Sequence, residues 1–202
     1  MPDKRYLIAM PCMDSIATPT VHALVSMRKV GAFKHTFLAN TLIYDARNIL
    51  AAEAIDTGAD RILFIDSDMY FEPDMMERMA DDLDNGADFV CGIFFKRKPP
   101  ILPCIYKALE AKPRNIEVYT DYPKDTMFTV AGCGFGAVMI NVDVIKAVAG
   151  AFGKPFSPVG ALGEDLSFCY NARQLGYELW CDSRIKIGHV GQFIFTEAFY
   201  QK

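Results

Sequence analysis

Ile62-Leu63-Phe64-Ile65-Asp66-Ser67-Asp68 is a run of four apolar residues that ends in two carboxylates. An unbroken apolar run of this length, entered from Arg61, reads as a strand buried on both faces. The carboxylates stand at i and i+2 just past it. In a turn at a strand end both can reach one ion. Hard cations such as Mg²⁺ or Mn²⁺ take oxygen ligands and keep waters and substrate phosphates in their shell. The same residues also suit an ordinary acidic turn, because Asp and Ser favour turns.

The neighbours of this strand set its context. Upstream, Tyr6 to Met10 reads as a buried strand, and Pro19 to Val30 as a helix capped by Thr18. Ala32 to Leu38 reads as a strand. A helix capped by Asn40 or Thr41 then runs to about Asp56, with Ile43, Ala46, Leu50 and Ala54 on one face, and stops at Gly58. Downstream, Pro73 opens a helix that carries Met75, Met79 and Leu83 at helical spacing and ends at Gly86. Ala87 to Phe95 is strand-like. Segment 96–127 is proline-rich and reads as loop with a short hairpin. Thr126 to Val130 and Ala137 to Ile140 are strands around a glycine-rich bend. Helices follow at Val142 to Ala149 and Asp165 to Leu175, then short strands at Tyr177 to Cys181 and Ile185 to Ile187. Strands alternating with helices predict an α/β fold around a mixed, mostly parallel sheet. In such sheets ligands bind beyond the carboxyl ends of the strands, which is where Asp66 and Asp68 fall.

Composition narrows the function classes. The 202 residues point to a single domain over 1–202, and a 51% hydrophobic content supplies a core. No stretch reaches the roughly 18 apolar residues of a membrane span. The apolar run after the charged start is too short for a signal peptide, so a cytoplasmic protein is expected. The six cysteines form no C-x-x-C pair and suit reduced, buried thiols. A net charge of −4 argues against a general grip on nucleic acid. The one dense basic patch, Lys96-Arg97-Lys98, reads as a solvated loop unless it meets phosphate.

Four further features bear on chemistry. Arg47 lies on the helix before the acidic strand. It can grip a phosphate or stack on a base, or it can pair at the surface with Asp45 or Glu53. Gly132, Gly134 and Gly136 alternate through an apolar stretch, as for close ligand approach, a sharp turn or a bulge. Glu164-Asp165 opens a helix, where the dipole favours carboxylates. This is an acidic cap or a proton acceptor. His189, flanked by Gly188 and Gly191, is free to point inward, and imidazole is a good ligand for Mn²⁺-like ions. Trp180 reads as core.

Taken in order, Ala46-Arg47-Asn48, Asp66-Ser67-Asp68, Gly132-Cys133-Gly134-Phe135 and Gly163-Glu164-Asp165 make the chain resemble the GT-A glycosyltransferases, most of all inverting family 2. Met69 departs from the D-x-D-D form that this family often carries. The resemblance implies a Rossmann-like GT-A domain, with a nucleotide-sugar half over about 1–95, an acceptor half over about 96–191 and a tail at 192–202. It implies Mn²⁺ or Mg²⁺ held by Asp66, Asp68 and His189. A nucleotide-sugar, expected to be a UDP-sugar, would be contacted by Pro11, Met13, Asp14, Arg47, Asp66, Ser67, Asp68 and Gly134. Asp165 would be the general base in an inverting transfer, with Glu164 binding hydroxyls. The acceptor is left open between a saccharide and other hydroxyl carriers, including a hydroxymethylated base of phage DNA. Two other readings are weighed. A haloacid-dehalogenase-like phosphatase would need its nucleophilic Asp on the first strand. An inactive sugar-binding module would have no use for both aspartates, the Glu-Asp pair and His189 together.

Overall fold

A computed structural model describes residues 4–111 and 114–191; residues 1–3 and the expected tail at 192–202 lie outside them. Within the first half run β1 (Arg5–Pro11), α1 (Thr18–Ser26), β2 (Ala32–Leu38), α2 (Ile43–Asp56), β3 (Arg61–Ile65), β4 (Met69–Phe71), α3 (Met75–Asp84) and β5 (Phe89–Ile93). There follow β6 (Ile105–Ala111), β7 (Arg114–Val118), β8 (Met127–Val130), β9 (Gly132–Cys133), β10 (Ala137–Asn141), α4 (Val142–Phe152), α5 (Glu164–Gln174) and β11 (Leu179–His189).

The main sheet has the order β2-β1-β3-β10-β5-β11-β4, with β8 also paired to β11. Strands β2, β1, β3, β5 and β11 run in one direction. The sheet is therefore mostly parallel, with one addition to the expectation: β10 runs antiparallel between β3 and β5. Because β10 lies after residue 95 and its neighbours before it, the two expected halves share one sheet.

The buried strands divide their side chains between two cores, as a period of two requires. Leu7, Ala9, Ile62 and Phe64 face the layer of α2, α4 and α5, where Phe89, Phe135, Phe156 and Phe168 interlock with ring centroids 4.8–6.4 Å apart. Tyr6, Ile8, Met10, Leu63 and Ile65 face Leu24 of α1 and Met75, Met76 and Met79 of α3. Trp180 packs half-buried against this second core. Among the described residues no helix is long and apolar enough to cross a membrane, and all six cysteines are free thiols.

Several boundaries differ from expectation for local reasons. Helix α2 begins at Ile43 without a side-chain cap. Asn40 is held at φ 57, and the Thr41 hydroxyl bonds back to the Ala39 carbonyl at 3.2 Å, so neither is available as a cap. Segment 96–127 contains the hairpin strands β6 and β7. The two expected C-terminal strands are one, β11, irregular between Asp182 and Lys186. Strand β4, which pairs with the end of β11, was not expected from the sequence.

Candidate active site

The carboxyl ends of the parallel strands meet at one edge of the sheet, and the polar residues of interest follow each end. Residues 11–14 leave β1, Asp66-Ser67-Asp68 leaves β3, Arg97 and Lys98 follow β5, and His189 closes β11. Of these, Met13, Asp14, Ser67, Asp68, Arg97 and Lys98 line a cleft of about 570 Å³, with Val190 and Gly191 just after His189. A smaller recess of about 160 Å³ adjoins it, between Pro11–Met13, Thr41, Ile43 and the acidic turn.

Strand β4 is what joins Asp68 to His189. It starts directly after the acidic turn and pairs antiparallel with β11, placing Met69 opposite His189. The Val190 amide also donates to the Asp68 carbonyl at 2.8 Å. As a result His189 Nε2 lies 3.4 Å from Asp68 Oδ2. His189 Nδ1 lies 2.8 Å from the Phe95 carbonyl. A carbonyl only accepts, so Nδ1 carries the hydrogen and neutral His189 turns the lone pair of Nε2 toward Asp68. Two acceptors facing each other at that distance need a proton or a cation between them. A carboxylate beside an imidazole whose other nitrogen is tied to a carbonyl is a donor set that fits a divalent ion of the Mn²⁺ kind.

The charges respond to this geometry. Burial alone would raise the Asp68 carboxyl, but the hydrogen bond and charge of His189, together with Arg97, hold it below its ordinary range. Burial works against a charged His189, yet its bonds to Asp68 and to the Phe95 carbonyl hold it above its ordinary value. Arg97 Nη1 lies 2.9 Å from Asp68 Oδ2, the same oxygen that faces His189.

Asp66 turns elsewhere. Its Oδ1 accepts from Arg47 Nη2 at 2.8 Å, and Arg47 Nε lies 3.5 Å from Glu164 Oε1. Burial pushes the Asp66 carboxyl up, with Arg47 pulling it down. Three expectations meet this geometry. Arg47 is only 2% exposed, its guanidinium lying 5.3 Å from the Phe135 ring centre and 5.7 Å from that of Phe64. It pairs with two acidic groups, Asp66 and Glu164, while Asp45 and Glu53 pair with lysines. Of the three residues expected to share an ion, Asp68 and His189 come together and Asp66 does not. Among the described residues no three His, Cys, Asp or Glu side chains gather to hold an ion. Gly134 is buried, and a Cβ there would lie 2.8 Å from the Phe94 ring. Its missing side chain makes room for Phe94, whose ring meets His189 edge-on at 5.7 Å.

Asp165 sits in the first turn of α5, where its Oδ1 accepts the Leu166 amide at 2.7 Å. Burial, then the charge of Glu164, pushes its carboxyl up to about 6. It is thus a carboxylate that changes charge close to neutrality, as a proton acceptor does.

Sequence reasoning passed over Phe94, Phe95 and the individual role of Arg97. The available signals were the basic triplet directly after an apolar strand and the Met69-Tyr70-Phe71 alternation directly after the acidic turn.

The chain belongs to glycosyl transferase family 2, whose model matches residues 39–147, more than half of its length. It is a glycosyltransferase. A comparison with curated protein sequences finds no match. Among solved structures, A197 from STIV is similar with a TM-score of 0.70 at 19% identity, over 93% of this chain and 86% of that one. GalNAc-T7, solved with UDP, GalNAc and Mn²⁺, is similar with a TM-score of 0.64 at 11% identity, over 95% of this chain and 44% of that one. At such identities the likeness is one of fold.

Proposed function

We propose that the enzyme binds a UDP-sugar in the cleft at the ends of β1, β3, β5 and β11 and moves the sugar to an acceptor hydroxyl with inversion. The observation that carries this reading is the pairing of Asp68 with His189 at the mouth of the cleft. The fold shared with a protein solved with UDP, GalNAc and Mn²⁺ supports the choice of donor. We take residues 1–202 as one catalytic domain.

In this reading Asp68 and His189 would hold the divalent ion beside the donor's diphosphate. When bound, the ion supplies Lewis-acid charge to the leaving diphosphate. Residues 11–14 and Ser67 line the donor's nucleotide. Asp66, oriented by Arg47, faces the smaller recess and accepts hydrogen bonds from donor hydroxyls. Asp165 takes the proton of the acceptor hydroxyl as its oxygen bonds to the anomeric carbon, and Glu164 beside it binds hydroxyls. A carboxyl near 6 is ionised at neutral pH, yet basic enough to accept a proton in the transition state.

The test is calorimetry with UDP in the presence and absence of Mn²⁺. The proposal expects UDP binding that strengthens with the ion and weakens in Asp68→Asn. Tight binding of GDP or CDP with none of UDP overturns the donor assignment. Binding of UDP that ignores both Mn²⁺ and Asp68 overturns the ion's place in it.

A further inference from the structure

The segment after β5 closes on itself at its base: Phe95 bridges to Pro103, and the Lys96 amide donates to the Leu102 carbonyl at 2.9 Å. Arg97 leaves this base and reaches across the cleft. Its Nη1 lies 2.9 Å from Asp68 Oδ2 as an ion pair and donates to the Val190 carbonyl at 3.2 Å, while its side chain stays about half exposed. Its stem lies over Gly191, where a Cβ would come within 3.0 Å of Arg97 Cδ. The glycine therefore leaves open the path that the arginine takes. Asp68 Oδ2 thus has two neighbours, the fixed guanidinium and the imidazole of His189 at 3.4 Å. A divalent cation settling between Asp68 and His189 meets a positive charge already on its carboxylate oxygen. Once that oxygen is shared, Arg97 is left beside an added positive charge with two or more donor hydrogens free.

Resting on the proposed donor and ion, we propose that Arg97 is a resident counter-ion of Asp68 that competes with the divalent cation until the donor binds, and that passes to the donor's diphosphate when donor and cation enter together. A guanidinium suits both partners, since its planar fork pairs with carboxylate and phosphate oxygens alike. The arrangement makes the cation bind weakly alone and tightly with a diphosphate.

The exchange predicts two effects of opposite sign in one variant, which loss of a merely structural contact would not give. In Arg97→Gln, Mn²⁺ alone should bind roughly fivefold or more tightly, because the competing charge is gone. UDP at saturating Mn²⁺ should bind roughly tenfold or more weakly, because a charge-assisted contact is lost. Inorganic pyrophosphate should show the same loss, and Arg97→Lys should fall between. Calorimetry reads all of these without turnover, and thermal melts matching the wild type establish that the variant is folded. Unchanged or weaker Mn²⁺ binding in Arg97→Gln overturns the competition, and unchanged UDP binding overturns the transfer to diphosphate. A wild-type protein that binds neither Mn²⁺ nor UDP overturns the donor reading and this inference with it. A wild type that binds both while the variant matches it overturns this inference alone.

Discussion

Asp165 is where protonation, stability and turnover meet in one side chain. Its carboxyl is raised to about 6 in the fold, against roughly 3.9 for a free Asp. The folded state therefore binds the proton more tightly than the unfolded chain. The stability that this proton contributes is present below about pH 4 and is lost as the pH rises through about 6. Asp165→Asn should accordingly melt higher than the wild type at pH 8, by about 1–2 kcal/mol after allowance for solvent at this partly buried carboxyl. The gap should close as the pH falls from 6 to 4, which melts across that range would show. The same variant should lose roughly two to four orders of magnitude in transfer, the usual range for a general base. Wild-type turnover should fall about tenfold per pH unit below 6, because only the ionised carboxylate accepts the proton. Arg47 behaves differently. Arg47→Ala leaves Asp66 and Glu164 without their shared partner and removes a buried guanidinium packed against two rings. Denaturant unfolding should show a loss on the order of 3–5 kcal/mol.

At the scale of elements, His189 is held by what packs beneath it. A Cβ on Gly134 would meet the Phe94 ring at 2.8 Å, and an aromatic ring in a packed layer has little room to give. Gly134→Ala should cost about 1–3 kcal/mol in stability and should also weaken Mn²⁺ binding, since Phe94 supports His189. Gly150 in α4 is the contrast: nothing stands within 4 Å of a Cβ there, so Gly150→Ala should be neutral or stabilising by up to about 1 kcal/mol. These contacts also mark how far the sequence could be read. The apolar run before Asp66 and the helical spacing of Met75, Met79 and Leu83 each arise within one element, and they located β3 and α3 closely. The meeting of Asp68 with His189 depends on β4, three residues long, pairing with a strand more than a hundred positions away, and no local period announces that. The burial of Arg47 escaped the sequence for a related reason. Its neighbours Phe64 and Phe135 come from other strands, so its burial is a property of packing and not of its own helix. The packing of Phe94 against Gly134 was likewise hidden, because a glycine's spacing does not reveal whether backbone, ring or ligand fills the space it leaves.

At the scale of the whole molecule, the account is that a family 2 glycosyltransferase gathers its chemistry at one end of a mostly parallel sheet. The reversed strand β10 matters to this. By lying between β3 and β5 it brings the Gly136 carbonyl to the Asp66 amide at 2.9 Å, and so fixes the start of the acidic turn from the second half of the chain. Strands β3 and β5 then present Asp68 and Arg97 from opposite sides of it. The most direct measurement is nucleoside diphosphate release from a panel of nucleotide-sugars, with Mn²⁺ and with a chelator, by the wild type and Asp68→Asn. The account predicts release of UDP that needs the ion, vanishes with the chelator and falls at least a hundredfold in Asp68→Asn. UDP release that persists undiminished in the chelator, or in Asp68→Asn, would contradict it.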